Sequence, residues 1–260
     1  MVLTVTAVPG GISTAINTFN AGYHADYFMV RSLARAYLAA PPSAVTTMPL
    51  ASALNGVLLR WGAGKRGAPT CQSISNMAAA LIRPNLHLQL RNLEACIPFL
   101  TIIAGRRCLA AGAPFAAVTD FDSCLIDTLS TLSTGLLVGN TNVTYPMKLL
   151  LLLTGLMPAF DSQVKGGLAS AGVTGINRTR YLIPVLGSAD AQKICALPFY
   201  MADCIARQLA TINHEIAASL YPNLVGEHGR IFDVLFFMQN GGHHVTVSFT
   251  PPVAIRWYAI

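Results

Sequence analysis

The chain opens on alternation. MVLTVTAV sets apolar residues against threonines with a period of two, which predicts a β-strand. From Tyr23 to Leu38 the period lengthens: Tyr27, Val30, Leu33, Ala34, Tyr37 and Leu38 recur at helical spacing, and Pro41-Pro42 stop the helix. The same pattern predicts helices over Leu50–Trp61, Cys71–Ile82, Asn85–Ala104, Asp120–Leu132, Val143–Leu156 and Ser162–Ala171. Three more follow over Ala189–Ala196, Pro198–Tyr221 and Gly226–Met238, and Gly241-Gly242 close the helical part. Alternation returns over His243–Phe249 and Val253–Ala259. Val245, Val247 and Phe249 share a face and Thr250-Pro-Pro-Val253 makes the turn, the signature of a β-hairpin. An isolated hairpin is marginal in water, so it is expected to pair with the N-terminal strand and bring the two ends together. No repeat or low-complexity linker divides the chain. The expected fold class is mainly α: a multi-helix array with a small terminal β-sheet, in one compact body over residues 1–260.

Composition raises one competitor. The chain is 53% hydrophobic and 11% charged, with a mean hydropathy of +0.52, where soluble domains average about 25% charged residues. A spanning helix needs roughly 20 consecutive apolar residues. The greasiest run, Leu149–Phe160, stops at Asp161, and Ala95–Ala104 stops at Arg106-Arg107. The uncharged run Ala36–Leu59 is broken by Pro41, Pro42 and Pro49. The start has no basic stretch ahead of its apolar residues and does not read as a signal peptide. The expectation is a soluble, cytoplasmic protein without a membrane partner. Six cysteines without CxxC spacing read as free thiols in apolar surroundings of a reducing compartment, and no zinc pattern is present. The net charge of +6 permits a nucleic-acid partner without demanding one.

Candidate chemistry concentrates in Leu136–Gly172. A turn at Gly139 is followed by the small polar residues Asn140, Thr141, Asn142 and Thr144, then by an apolar helix, then by Pro158 and Asp161 ahead of another helix. Asp161 is placed as that helix's N-cap, which by itself accounts for an aspartate there. Elsewhere, Asp120, Asp122 and Asp127 could form a metal cluster, but Asp120 reads better as the cap of the helix that follows, and His243-His244 read as exposed hairpin residues. The glycine loop Gly62–Gly67 lacks the order of a phosphate-binding Walker motif, but its Lys65 and Arg66 suit phosphate contact. Arg106-Arg107 read as phosphate contacts or surface.

The Gly139–Asp161 segment resembles the core of helix-hairpin-helix DNA glycosylases of the eight-oxoguanine-glycosylase type. In that family a glycine hairpin holds a DNA phosphate, an apolar helix follows, and an aspartate stands about 20 residues on; here Phe160-Asp-Ser-Gln-Val164 is similar to the family's VDTHV-like context. The hairpin reads Val138-Gly139-Asn140 in place of GxG, and Asn142 lies near the position where bifunctional members carry a Schiff-base lysine. Lys148 falls later, inside the apolar helix. The resemblance therefore implies a monofunctional N-glycosylase with its core over about 136–172, acting as a monomer on double-stranded DNA with a flipped base. It implies Asp161 as catalytic carboxylate and Gly139, Asn140, Thr141, Asn142, Lys65 and Arg66 at the DNA. Trp61, Tyr145 and Phe160 would line the base pocket, and no metal or cofactor is implied. A role in defence against phages with modified DNA fits the bacterial branch it resembles. The competing reading is a non-enzymatic helical module that binds nucleic acid or protein, with Asp161 only a cap.

Overall fold

The computed structural model describes residues 2–65, 67–139, 143–173, 183–241 and 245–250. Helix accounts for 65% and strand for 10%, so the chain is mainly α. β1 (Val2–Ala7) leads into α1 (Gly11–Thr18), a short helix that the hydrophobic pattern does not announce. Its first amides are capped from a distance: the Glu215 carboxylate accepts from Gly10 N–H at 2.8 Å and from Ile12 and Ser13 N–H at 3.1 Å. These are the donors that a helix start leaves unsatisfied. α2 (Ala21–Leu38) begins at Asn20, whose side chain accepts from Gly22 N–H at 2.8 Å. α3 (Ala44–Arg60) starts ahead of the predicted Leu50. Pro49 sits in its second turn, where the ring costs one amide donor and the helix runs on.

β2 (Thr70–Cys71) occupies the start of the next predicted helix, and α4 (Ile74–Leu81) begins only after the Ser73 cap. α5 (Pro84–Cys96) stops before Pro98. The apolar run read as its continuation is instead a hairpin, β3 (Leu100–Ile103) with β4 (Arg106–Leu109). Ala104 and Gly105 both have positive φ at its tip, as tight hairpin turns require. α6 (Val118–Leu136) then runs into β5 (Leu137–Val138), which pairs antiparallel with β2, and Gly139 turns the chain at φ 103° toward α7 (Thr144–Thr154). α8 (Ser162–Ser170) follows Asp161. α9 (Ala189–Ala217) passes straight through Pro198, where two helices were expected, and bends instead at Gln208 (φ −116°, ψ 19°). α10 (His228–Asn240) and β6 (Val245–Thr250) complete the described chain.

β6 pairs antiparallel with β1, Val5 facing Val247, as the alternation predicts. Val245, Val247 and Phe249 point together into the core. Both outer edges of this two-stranded sheet are closed by glutamine side chains. Gln208 of α9 accepts from Val5 N–H at 2.9 Å and donates to Val5 O at 2.8 Å. Gln239 of α10 does the same to Val247, at 2.6 and 2.9 Å. The amide groups stand in for further strands, so the edges carry no open ladder at these residues. The bend of α9 at Gln208 falls where its side chain turns to this task. The second arm of the expected hairpin, Val253–Ala259, and His243-His244 lie outside the described residues.

The high hydropathy has its explanation in α7. Every residue from Tyr145 to Thr154 is buried, enclosed by α2, α3, α5 and α6. A helix apolar all round belongs inside a protein or a membrane, and among the described residues no helix is long and apolar enough to cross a membrane. Two of the three candidate metal-ligating aspartates are occupied elsewhere. Asp120 bonds back to Ala117 N–H at 3.0 Å, and Asp122 forms a two-pronged pair with Arg107 at 2.7 and 2.9 Å. Arg107 is thus buried and paired, neither surface nor phosphate contact. All six cysteines are free, three of them fully buried.

α8 lies against α10 at backbone contact. A Cβ on Gly167 would collide with the Phe236 carbonyl, a position that no side-chain rotation relieves. Gly56 in α3 has ordinary room. Gly167→Ala is expected to destabilise by about 1–3 kcal/mol through overpacking, whereas Gly56→Ala is expected to stabilise by roughly 0.5–1 kcal/mol through helix propensity. Melting temperatures of the two variants should move in opposite directions.

Candidate active site

Asp161 is the N-cap of α8: its Oδ1 accepts from Gln163 and Val164 N–H, both at 3.0 Å. Those two bonds fix the carboxylate's direction and set it in the positive end of the helix dipole. It stands on the wall of a cavity of about 310 Å³, a size in the range of small-molecule sites. Phe19, Tyr23, Trp61 and Phe237 supply the aromatic faces of that cavity, and Lys148, Arg230 and Asp233 line it with charge.

Each wall is held from behind. Trp61 ends α3, and its Nε1–H donates to Asp26 Oδ2 at 2.9 Å while Asp26 also receives the Arg60 guanidinium. Tyr23 meets the indole edge-on at 5.6 Å. The Trp61 carbonyl accepts from Lys148 Nζ at 2.9 Å and from Tyr145 Oη–H at 3.3 Å. Lys148 is 8% exposed, and its ammonium lies 4.8 Å from the Tyr145 ring centre. Burial pushes its pKa down, and the charges of Asp161 and Asp233 partly restore it. Across the cavity, Arg230 Nη1 donates to Asp233 Oδ2 at 2.6 Å, and Asp233 Oδ1 accepts from Ala159 N–H at 2.9 Å. The Arg230 guanidinium lies over Phe19 at 4.8 Å and Tyr27 at 5.2 Å. Its Nε and Nη2 meet no acceptor among the described residues. Burial raises the Asp233 pKa to about 6, against the pull of Arg230.

The β2–β5 ladder relates the two loops expected at DNA. The pairing is antiparallel, Thr70 with Val138, so the glycine loop entering β2 and the Gly139 turn leaving β5 emerge at the same end. Lys65 and Gly139 are both exposed there. The loop begins at Trp61, in the cavity wall. On the other side, Thr144 Oγ1 donates to the Phe160 carbonyl at 2.8 Å and ties the start of α7 to the residue before Asp161. Arg66, Asn140, Thr141 and Asn142 lie outside the described residues.

Of the three aromatic residues expected in the pocket, Trp61 lines the cavity. Tyr145 is buried behind Lys148, and Phe160 is in the core at 1% exposure, contributing its carbonyl rather than its ring. Phe19, Tyr23, Lys148, Arg230, Asp233 and Phe237 were not anticipated. A signal was present for three of them: Lys148 interrupts a leucine run, and Arg230 and Asp233 stand in Gly-Arg-Ile-Phe-Asp-Val-Leu-Phe-Phe. Charges inside apolar helices of a chain only 11% charged need a reason to be there. Among the described residues no cluster of His, Cys, Asp and Glu is placed to hold a metal. No family model, no curated protein and no solved structure matches this chain.

Behind the Phe19 wall, His24 is fully buried and stacked on Tyr221 at 4.0 Å, with Nε2 placed 3.1 Å from the Ile16 carbonyl. Burial lowers its pKa from 6.5 to about 4. As pH falls from 6.5 to 4 the unfolded chain takes up this proton first, so His24 contributes stability that is lost in that window. Asp233 has the opposite sign: its folded pKa of about 6 exceeds the unfolded 3.8, so it contributes stability as pH falls through that range. Urea denaturation of wild type and His24→Gln should show the gap between them shifting toward the variant by about 2–3 kcal/mol from pH 7 to pH 4.5.

Proposed function

We propose that this protein is a monofunctional DNA N-glycosylase, a monomer that takes a damaged or modified base from double-stranded DNA into the cavity beside Asp161. The observation that carries the reading is the position of Asp161: oriented by two backbone amides, on the wall of an aromatic cavity. One further feature supports it: the Lys65 loop and the Gly139 turn leave one end of a single ladder, which would set a lysine and a glycine turn side by side toward a phosphate backbone.

Cleavage of an N-glycosidic bond develops positive charge on the sugar ring. A fixed carboxylate stabilises that charge and accepts a proton from the attacking water. The base reaches it only after leaving the stack, and aromatic faces such as Trp61 and Phe19 suit an unstacked base. A defence role against phages with modified DNA would follow from the choice of base, and a cytoplasmic location agrees with free thiols throughout. The same two amide bonds would serve a mere helix cap equally well, and that favours the second reading, a helical binding module without chemistry.

Asp161→Asn separates the two. Asparagine caps nearly as well as aspartate, so stability is expected to change by less than about 1 kcal/mol. Release of modified bases, read as alkali-labile sites in duplex DNA, is expected to fall by about 10²–10⁴-fold. Full activity in the folded variant would leave Asp161 a cap. Separately, affinity for duplex DNA is expected to fall steeply with salt, and charge reversal at Lys65 and Arg66 to flatten that slope. Salt-insensitive binding would remove DNA as the partner.

A further inference from the structure

The cavity holds a cation that the Asp161 chemistry does not use. Lys148 sits in the middle of a helix otherwise apolar from Leu149 to Leu153, and an ammonium there costs several kcal/mol to bury. The surroundings offset part of that cost: the Tyr145 and Trp61 rings lie 4.8 and 6.0 Å from the ammonium. Of its three N–H donors, one reaches the Trp61 carbonyl at 2.9 Å; among the described residues no carboxylate forms a salt bridge with it. The side chain lines the cavity, with Asp161 and Asp233 close enough to act on its charge. Those two carboxylates, from the start of α8 and from α10, are the titratable groups that bear on it, together with the Tyr145 ring of its own helix. Arg230 faces the same space but is committed to Asp233 and to two aromatic rings. Behind Trp61, Asp26 of α2 and Arg60 of α3 are paired with each other.

Resting on the glycosylase reading, we propose that Lys148 is a second catalytic residue, the acid that protonates the departing base. Asp161 and Lys148 then divide the reaction by sign. The C1′–N bond breaks and its electron pair goes to the base. The water oxygen bonds to C1′, and the water's proton passes to the Asp161 carboxylate. The Lys148 ammonium donates a proton to the base as the charge arrives there; the neutral amine regains one from solvent after release, and Asp161 returns its own. Burial suits the amine to this work, because a lysine with a lowered pKa gives up its proton more readily. The bond to the Trp61 carbonyl holds the donor still and leaves two N–H groups for the cavity.

A leaving group that needs no proton tests this. Duplexes carrying 7-methylguanine, which departs neutral because the substrate is already cationic, are compared with duplexes carrying uracil or 8-oxoguanine, which depart as anions. Single-turnover release is measured for wild type, Lys148→Met and Lys148→Arg, with melting temperature on the same preparations. Lys148→Met is expected to lose about 10²-fold or more on the anionic leaving groups and markedly less on 7-methylguanine, with Lys148→Arg between. Where one base alone is released, the pH profile decides: the wild-type rate should fall at alkaline pH as the amine loses its proton, and Lys148→Met should lack that limb. Equal losses on every base, or an unchanged alkaline limb, overturn the assignment. A covalent adduct of wild type trapped by borohydride also overturns it, since Lys148 would then be a nucleophile. No release from any duplex by folded wild type overturns the glycosylase reading itself.

Discussion

Everything near the cavity depends on one buried carboxylate. Glu227 is 3% exposed and accepts from the Tyr27 hydroxyl, from Arg31 Nε and from Arg35. Arg31 in turn donates to the Leu153 carbonyl at 2.7 Å and pairs with Glu94. Two helix ends are thereby matched with charge: a cation at the C-terminus of α7 and an anion at the N-terminus of α10. Gly155 passes so close that a Cβ would stand 2.6 Å from Glu227 Oε2, and the Gly155 carbonyl accepts from Gly229 N–H at 2.9 Å. α2, α5, α7 and α10 are thus joined at one point. Three of them carry the cavity: Tyr23 on α2, Lys148 on α7, and Arg230 with Asp233 on α10. A buried ionic cluster is a poor source of net stability but a strict one of geometry, since breaking a single partner strands the others.

The parts of the fold legible in the sequence are those where one local rule acts alone. Alternation placed β1 and β6 on the right faces, and the proline before an aspartate placed the start of α8. The misreadings occurred where two rules compete. Ala95–Ala104 is a short apolar run, for which helix and strand periods are indistinguishable; Pro98 and the Ala104-Gly105 turn decide for a hairpin. Pro198 argues for a break, yet neighbours buried along α9 hold the helix through it. At the cavity, Asp161 and Trp61 were legible because a cap and a loop boundary are local. Arg230, Asp233 and Phe19 were not, because what joins them to Asp161 is the close packing of α8 on α10, and the glycines that permit it look like ordinary helix weaknesses in the sequence.

The two cavity carboxylates illustrate how environment separates identical side chains. Asp161 is partly exposed and takes its hydrogen bonds from a helix start. Asp233 is enclosed, and its bonds to Arg230 and Ala159 do not fully offset the loss of water. Nothing in the local sequence distinguishes them; depth in the cavity does. The cations differ likewise: each lies over two rings, but Arg230 is paired with a carboxylate and Lys148 with a backbone carbonyl.

The order of these helices along the chain has a consequence for biogenesis. The four helices that sheathe α7 all precede it, so the leucine-rich helix leaves the ribosome into a groove already synthesised. α10, with Glu227 just ahead of it, emerges much later. Until then Arg31 and Tyr27 lack their central partner and the cavity lacks its far wall. The nascent protein can therefore shelter its greasiest segment early while its cavity is assembled among the last of its parts.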